Sequence, residues 1–322
     1  MMDWIYAGLG LIILLLAGDV LVKGAVNLSL RLGIPALIVS LTIVAFGTSA
    51  PELLIAIEAI ADQAPGIAMG NVVGSNTANI LLVLGVPAIM TGLKSSECNI
   101  RKTYIYMILA TFIFIGASFA GPLTWVHGVG LLIVLAYVLT DQAREVLRHR
   151  KSGQSCMPCC SDADVEDVEG ADADMQGWKI GLYLMLGLIG LPLGASLLVD
   201  GAVNIARTFG ISEAVIGLTL VAVGTSLPEL ATTVMAALRR QADVALGNVI
   251  GSNMFNLLAI IGVASIIGDI PVDQQFLRFD LWVMLGASLI LAPFVFLRWN
   301  ITRGWGFVLC GLYAAYIGSI LI

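Results

Sequence analysis

Ten apolar runs, separated by short polar breaks, set the pattern of this chain. They fall at residues 5–22, 34–60, 66–90, 104–120, 123–140, 180–199, 211–238, 244–267, 279–297 and 305–321. About 20 apolar residues carry a helix across a bilayer, so each run predicts a transmembrane helix. The second run exceeds that length, which fits a tilted or interrupted helix. The first has neither a basic leader nor a clear small-residue cleavage site, so it is expected to be retained. Five runs precede and five follow the one long hydrophilic segment, 143–177. The expectation is an all-α polytopic membrane protein: a first five-helix repeat at 1–142, a linker at 143–177 and a second five-helix repeat at 178–322. An odd number of spans per half places the halves in opposite orientations, the inverted repeat expected of a carrier.

Polar residues inside the apolar runs repeat as well. Gly47-Thr48-Ser49-Ala50-Pro51-Glu52 returns as Gly224-Thr225-Ser226-Leu227-Pro228-Glu229. Gly70-Asn71-Val72-Val73-Gly74-Ser75-Asn76-Thr77-Ala78-Asn79 returns as Gly247-Asn248-Val249-Ile250-Gly251-Ser252-Asn253-Met254-Phe255-Asn256, at the same offset of 177 residues. From Ile38 to Val86 roughly 22 of 49 positions match their counterparts without a gap. Unrelated apolar helices would share Leu and Val, not Gly, Thr, Ser, Pro, Glu and Asn in register.

A carboxylate at membrane depth is costly and functional by default. Each glutamate here follows a proline, which removes a backbone donor and breaks or kinks a helix. Such a break is tolerated in lipid only where the freed carbonyls face protein, water or an ion. Paired breaks in corresponding positions of two halves point to a transporter's binding site. The motifs supply oxygen ligands of every kind. Glu52 and Glu229 bring charge, and the breaks are expected to free carbonyls around Thr48 and Thr225, with Ala45 and Ala222 one turn earlier. Ser49, Ser75, Ser226 and Ser252 offer hydroxyls, and Asn79 and Asn256 amide oxygens. A hard cation such as calcium takes six to eight such ligands. No His or Cys lies near either motif, which argues against zinc or copper.

The paired GTSxPE and GNxxGSNxxN motifs resemble the two alpha repeats of the cation/calcium exchanger superfamily. The chain is similar to its prokaryotic sodium/calcium exchangers of the calcium/sodium antiporter type. The resemblance implies ten transmembrane helices with broken helices at the ion site, and secondary antiport of calcium against sodium, with no enzymatic reaction and no cofactor. It implies that Glu52 and Glu229 hold calcium with the carbonyls of Thr48 and Thr225. Sodium and shared positions then fall at Ser49, Ser75, Asn79, Ser226, Ser252 and Asn256, with the carbonyls of Ala45 and Ala222. Some members carry Asp at one of the positions held here by Asn79 and Asn256. With Asn at both, this site carries two formal negative charges, which bears on the ion stoichiometry.

Composition agrees with a membrane protein: 59% of residues are hydrophobic and 12% charged, against about 25% charged in soluble domains. The net charge of −6 misleads, because seven acids and no base lie between Asp162 and Asp174. All but Arg207 and Arg278 of the 16 Lys and Arg residues fall on one face of the expected topology. By the positive-inside rule that face is cytoplasmic. Both termini are then outside the cell membrane and the 143–177 loop lies in the cytosol. The thin spread of basic residues gives no footprint for nucleic acid, and no Walker loop points to a nucleotide. The expected partners are calcium, sodium and the lipid bilayer, with a monomer as the working unit.

Proton/calcium exchange is the nearest rival. Its members usually place a carboxylate just after the Gly-Asn of the repeat, where Val72-Val73 and Val249-Ile250 stand here. A channel calls for a continuous pore, usually with ring symmetry, and an inert scaffold leaves two broken helices with buried glutamates unexplained. Asp19 and Lys23, one turn apart, predict an interfacial salt bridge. Cys156, Cys159 and Cys160, with His149 nearby, are expected to be incidental linker residues, and the acidic run lacks the spacing of an EF-hand loop.

Overall fold

The computed structural model describes residues 2–95, 100–151, 172, 175–210 and 222–321. Its helices are α1 (Met2–Leu32), α2 (Ala36–Ala61), α3 (Pro65–Thr91), α4 (Arg101–Phe119), α5 (Trp125–Lys151), α6 (Gly177–Thr208), α7 (222–238), α8 (Ala242–Ile267), α9 (Phe276–Phe296) and α10 (Arg303–Leu321). Among the described residues eight helices, all but α7 and α10, are long and apolar enough to cross a membrane. The linker cysteines and most of the acidic run lie outside the described residues, as do Cys98 and the first part of the seventh apolar run.

The helices overrun the apolar runs. α1 continues ten residues past the expected end at 22, and α5 eleven past 140. Hydropathy marks the part that sits in hydrocarbon, whereas a helix continues until a residue can close its last turn. α1 closes at Gly33, whose φ of 65° admits the left-handed cap. The N–H of Gly33 bonds to Leu30 O at 3.2 Å and that of Ile34 to Ser29 O at 3.0 Å, the double bond of a Schellman ending. The device recurs. Positive φ appears at Gly33 and Gly210, at Gln63 and Arg240, and at Gly121 and Arg298, each pair separated by the offset of the sequence repeat. The isolated bridges Leu93–Ile301 and Leu123–Ile270 each join the two halves, and the second nearly repeats the first with the halves exchanged, one residue out of register.

α1 and α6 lie against each other through small residues. A Cβ on Gly10 would stand 2.4 Å from Leu198 N, and one on Gly194 2.8 Å from Leu14 N. In lipid such close backbone approach replaces the hydrophobic drive to associate. Gly194→Val is therefore expected to force the two helices apart, at about 1–3 kcal/mol or more of strain. The apparent melting temperature of the purified protein should fall by several degrees. Gly8→Ala, with no described atom within 4 Å, should leave it unchanged; equal melting of the two variants would refute this packing. Asp19 of α1 pairs with Lys23 at 3.0 Å, as its spacing suggests. It also accepts a bond from Arg239 Nε at 2.6 Å, which ties α1 to the end of α7.

The two repeated motifs meet where α8 crosses the first part of α2. A Cβ on Gly251 would meet Leu41 O at 2.5 Å, and one on Gly247 would meet Leu37 O at 2.8 Å. Ser40 Oγ bonds across the same crossing to Val244 O at 2.6 Å. The glycines thus bring the repeated polar residues of one half against the broken helix of the other.

Candidate ion site

Both proline motifs break their helices, one residue before the half-helix that carries the proline. Ser49 leaves helical geometry with φ −85° and ψ 3°, and Ser226 with φ −91° and ψ 5°. Pro51 and Pro228 then occupy the first turn of the following half-helices, where a missing N–H costs nothing. The break precedes the proline because the lost donor belongs to the carbonyl four residues upstream, at Gly47 or Gly224. The carbonyl of Ala45 is not released by this loss. It accepts Ser49 N–H at 3.0 Å and Thr48 Oγ1 at 3.3 Å. In the second half the N–H of Ser226 turns instead to Val223 O at 3.0 Å, one residue past Ala222.

Glu52 and Glu229 lie in the first turns of the half-helices Ala50–Ala61 and Leu227–Leu238. The positive end of the helix dipole favours their charge there. Both are 0% exposed, and they are near enough for one charge to act on the other. Ser49 Oγ donates to Glu229 Oε1 at 3.4 Å, and the hydroxyls of Thr48 and Ser252 also face that carboxylate. Thus residues from α2, α7 and α8 meet at one point. Ser75, Asn79, Ser226 and Asn256 are buried as well; Thr225 is half-buried at the second break.

Many of these oxygens have no protein donor. Among the described residues both carboxylate oxygens of Glu52, Oε2 of Glu229, Oδ1 of Asn79 and of Asn256, and Oγ of Ser226 and Ser252 are buried without a hydrogen-bond partner. A buried acceptor left unmatched costs about 1–3 kcal/mol, and natural interiors hold few of them. Most of those found among the described residues belong to the two repeated motifs, the donor Nδ2 of Asn256 among them. Hard cations satisfy such a set, since they need oxygen lone pairs and no donors. No group of three or more His, Cys, Asp and Glu side chains suited to a metal is present among the described residues. A cation here therefore depends on two carboxylates with neutral oxygens.

Sequence reasoning passed over the other asparagines. Asn76 Nδ2 donates to Asn253 O at 3.4 Å, and Asn253 Nδ2 to Asn76 O at 3.3 Å. The two are counterparts in the repeat and bond each other reciprocally. Asn79 Nδ2 donates to Asn253 Oδ1 at 3.1 Å. Asn71 Nδ2 reaches Glu52 O at 3.4 Å, whereas Asn248 joins Thr48 and Thr233. The matched motifs already held these asparagines, so the signal was available. The π-turns Asn79–Val83 and Asn256–Ile260 left no sequence trace; such turns gather at functional sites.

The sequence profile of the family described as sodium/calcium exchanger protein matches residues 2–142 and 179–321. The chain belongs to the sodium/calcium exchanger family. It is 36% identical over 287 residues to the putative antiporter CaxA of Alkalimonas amylolytica, covering 89% of this chain and 88% of the relative. It is 34% identical to the sodium/calcium exchanger MaX1 of Methanosarcina acetivorans, covering 96% and 95%. The solved structure of the sodium-calcium exchanger NCX_Mj soaked with sodium and strontium superposes with a TM-score of 0.80 at 32% identity, over 98% of this chain and 97% of that one. This exchanger is thus a multi-pass membrane protein, a prokaryotic member of the cation/calcium exchanger superfamily.

Proposed function

We propose that the chain exchanges calcium for sodium across the membrane by alternating access, binding the two ions in turn at Glu52 and Glu229. The observation that carries this reading is the meeting of two buried carboxylates from matching half-helices amid oxygens that lack donors. Thr48 and Thr225 complete the calcium site with their carbonyls. Ser49, Ser75, Asn79, Ser226, Ser252 and Asn256, with the carbonyls of Ala45 and Ala222, form the sodium and shared positions, the Ala45 carbonyl giving up one of its two hydrogen bonds to join them. The names of MaX1 and of NCX_Mj, both sodium/calcium exchangers, support the choice of ions.

Ten spans arranged as two inverted five-helix repeats fit the recurrence of caps, breaks and π-turns at one offset. The reciprocal Asn76–Asn253 pair is what a two-fold axis through the site produces. The basic residues put the 143–177 loop in the cytosol and both termini outside. One chain completes one site, so the monomer suffices.

Charge then enforces exchange. Two ionised glutamates ~4 Å apart at an effective dielectric near 20 repel by about 4 kcal/mol. One calcium or two sodium ions cancel that repulsion, and an empty site resists closure. The test is radiolabelled calcium uptake into proteoliposomes loaded with sodium, beside vesicles given only a pH gradient. Sodium-driven uptake supports the reading; uptake driven by the pH gradient alone transfers the function to proton exchange.

A further inference from the structure

The two halves of the site hold their first motif asparagines differently. Asn71 turns its amide nitrogen to the main chain of Glu52, at 3.4 Å from its carbonyl oxygen. Asn248, its counterpart, gives Nδ2 to Thr233 Oγ1 at 3.3 Å. That leaves Asn248 Oδ1 to accept from Thr48 Oγ1 at 3.4 Å. Asn248 and Thr233 are both 0% exposed, so water cannot replace either bond. Thr233 stands four residues after Glu229, on the same face of the half-helix one turn further in. The counterpart of Thr233 is Ala56, which has no hydroxyl to offer. The device therefore exists on one side of the site only.

Thr48 has a single hydroxyl proton and two acceptors at hydrogen-bond distance, Ala45 O at 3.3 Å and Asn248 Oδ1 at 3.4 Å, with the carboxylate of Glu229 beside them. When a cation occupies Glu229, that carboxylate spends its lone pairs on the ion, and the proton must go elsewhere. Asn248 Oδ1 can receive it only while the amide keeps its oxygen toward Thr48. We propose that Thr233 is a positioning residue for cation binding: it anchors the amide nitrogen of Asn248, so that Asn248 Oδ1 accepts the hydrogen bond of the Thr48 hydroxyl and Glu229 is left to the ion. The inference rests on the exchange reading of this site and adds a residue that the repeat motifs do not contain. Without the Thr233 oxygen the amide is free to reverse. Its NH2 then faces Thr48, and the Thr48 hydroxyl turns its hydrogen bond to Glu229, in competition with the cation.

The test uses Thr233→Val, which keeps the shape and removes the oxygen, and Thr233→Ser, which keeps the oxygen and removes a methyl group. Loss of one buried hydrogen bond in such a relay corresponds to about a 3- to 10-fold change. Thr233→Val is expected to raise the apparent KM for calcium in sodium-loaded proteoliposomes by that factor, with the maximal rate within about twofold of wild type. Thr233→Ser rescues the KM. A packing role gives the reverse order, with Val like wild type and Ser impaired. That order overturns the proposal, as do two variants that both match wild type or both fail alike. Calcium titration of the purified variants reads the same ranking without transport. If wild type binds calcium but does not exchange it for sodium, the functional reading fails, while the order of the calcium affinities still decides the role of Thr233.

Discussion

Glutamine in place of Glu229 is expected to weaken calcium binding on the order of 10²- to 10³-fold and to abolish coupled exchange. Breaking a buried charge pair by removing one partner costs about 3–5 kcal/mol, and 1.4 kcal/mol is tenfold in affinity. Glutamine matches glutamate in size, so the packing of α7 is kept. The loss falls on Oε2, which has no protein donor and is left to an ion, and on the Ser49 bond at Oε1. The same substitution at Glu52 carries a second signature. Neither oxygen of Glu52 has a partner among the described residues, so the ion-free protein buries a carboxyl group whose polar atoms go unmatched. Glu52→Gln should therefore raise the melting temperature in chelator while removing the stabilisation that calcium gives to wild type. A variant that melts lower in chelator and still gains stability from calcium would show that Glu52 is a structural carboxylate.

The second large effect is expected at the helix crossing. A Cβ at Gly251 would stand 2.5 Å from Leu41 O and 2.7 Å from Ala45 Cβ, so valine there collides with both. Neither neighbour is the end of a flexible side chain, so α2 and α8 must separate. The Thr48–Asn248 bond spans that crossing. A displacement near 1 Å in a binding constellation costs about 10²-fold, and the exchange rate of Gly251→Val should fall by that order. Gly116→Ala, which meets no described atom within 4 Å, is the matched control. Exchange in Gly251→Val at wild-type rate would mean that the crossing does not set the site.

How much was legible in the sequence follows from what each feature leaves in residue types. The apolar runs announce themselves by length, and the glutamates by their cost in lipid. The prolines announce a break, but its place is decided by which carbonyl loses a donor, and that moved it to Ser49 and Ser226. Helix ends were misjudged at α1 and α5, because caps such as Gly33 lie beyond the hydrocarbon that hydropathy measures. The reciprocal Asn76–Asn253 contact needs the two-fold relation between halves, visible in the offset but only in three dimensions as a bond. Thr233 had no signal at all. Its counterpart is Ala56, so comparing the repeats hides it, and it emerges from the hydrogen bond to Asn248. The short ties of Asp19 to Arg239, 220 positions apart in the chain, were likewise out of reach of local spacing.

The most direct measurement is calcium titration of the purified protein by calorimetry at several fixed sodium concentrations, at constant pH. Calcium affinity that falls as sodium rises, with a slope above one sodium per calcium, is the predicted result, and it should vanish in Glu52→Gln and Glu229→Gln. Calcium binding that ignores sodium, or that persists in both variants, would contradict a shared site at the paired glutamates.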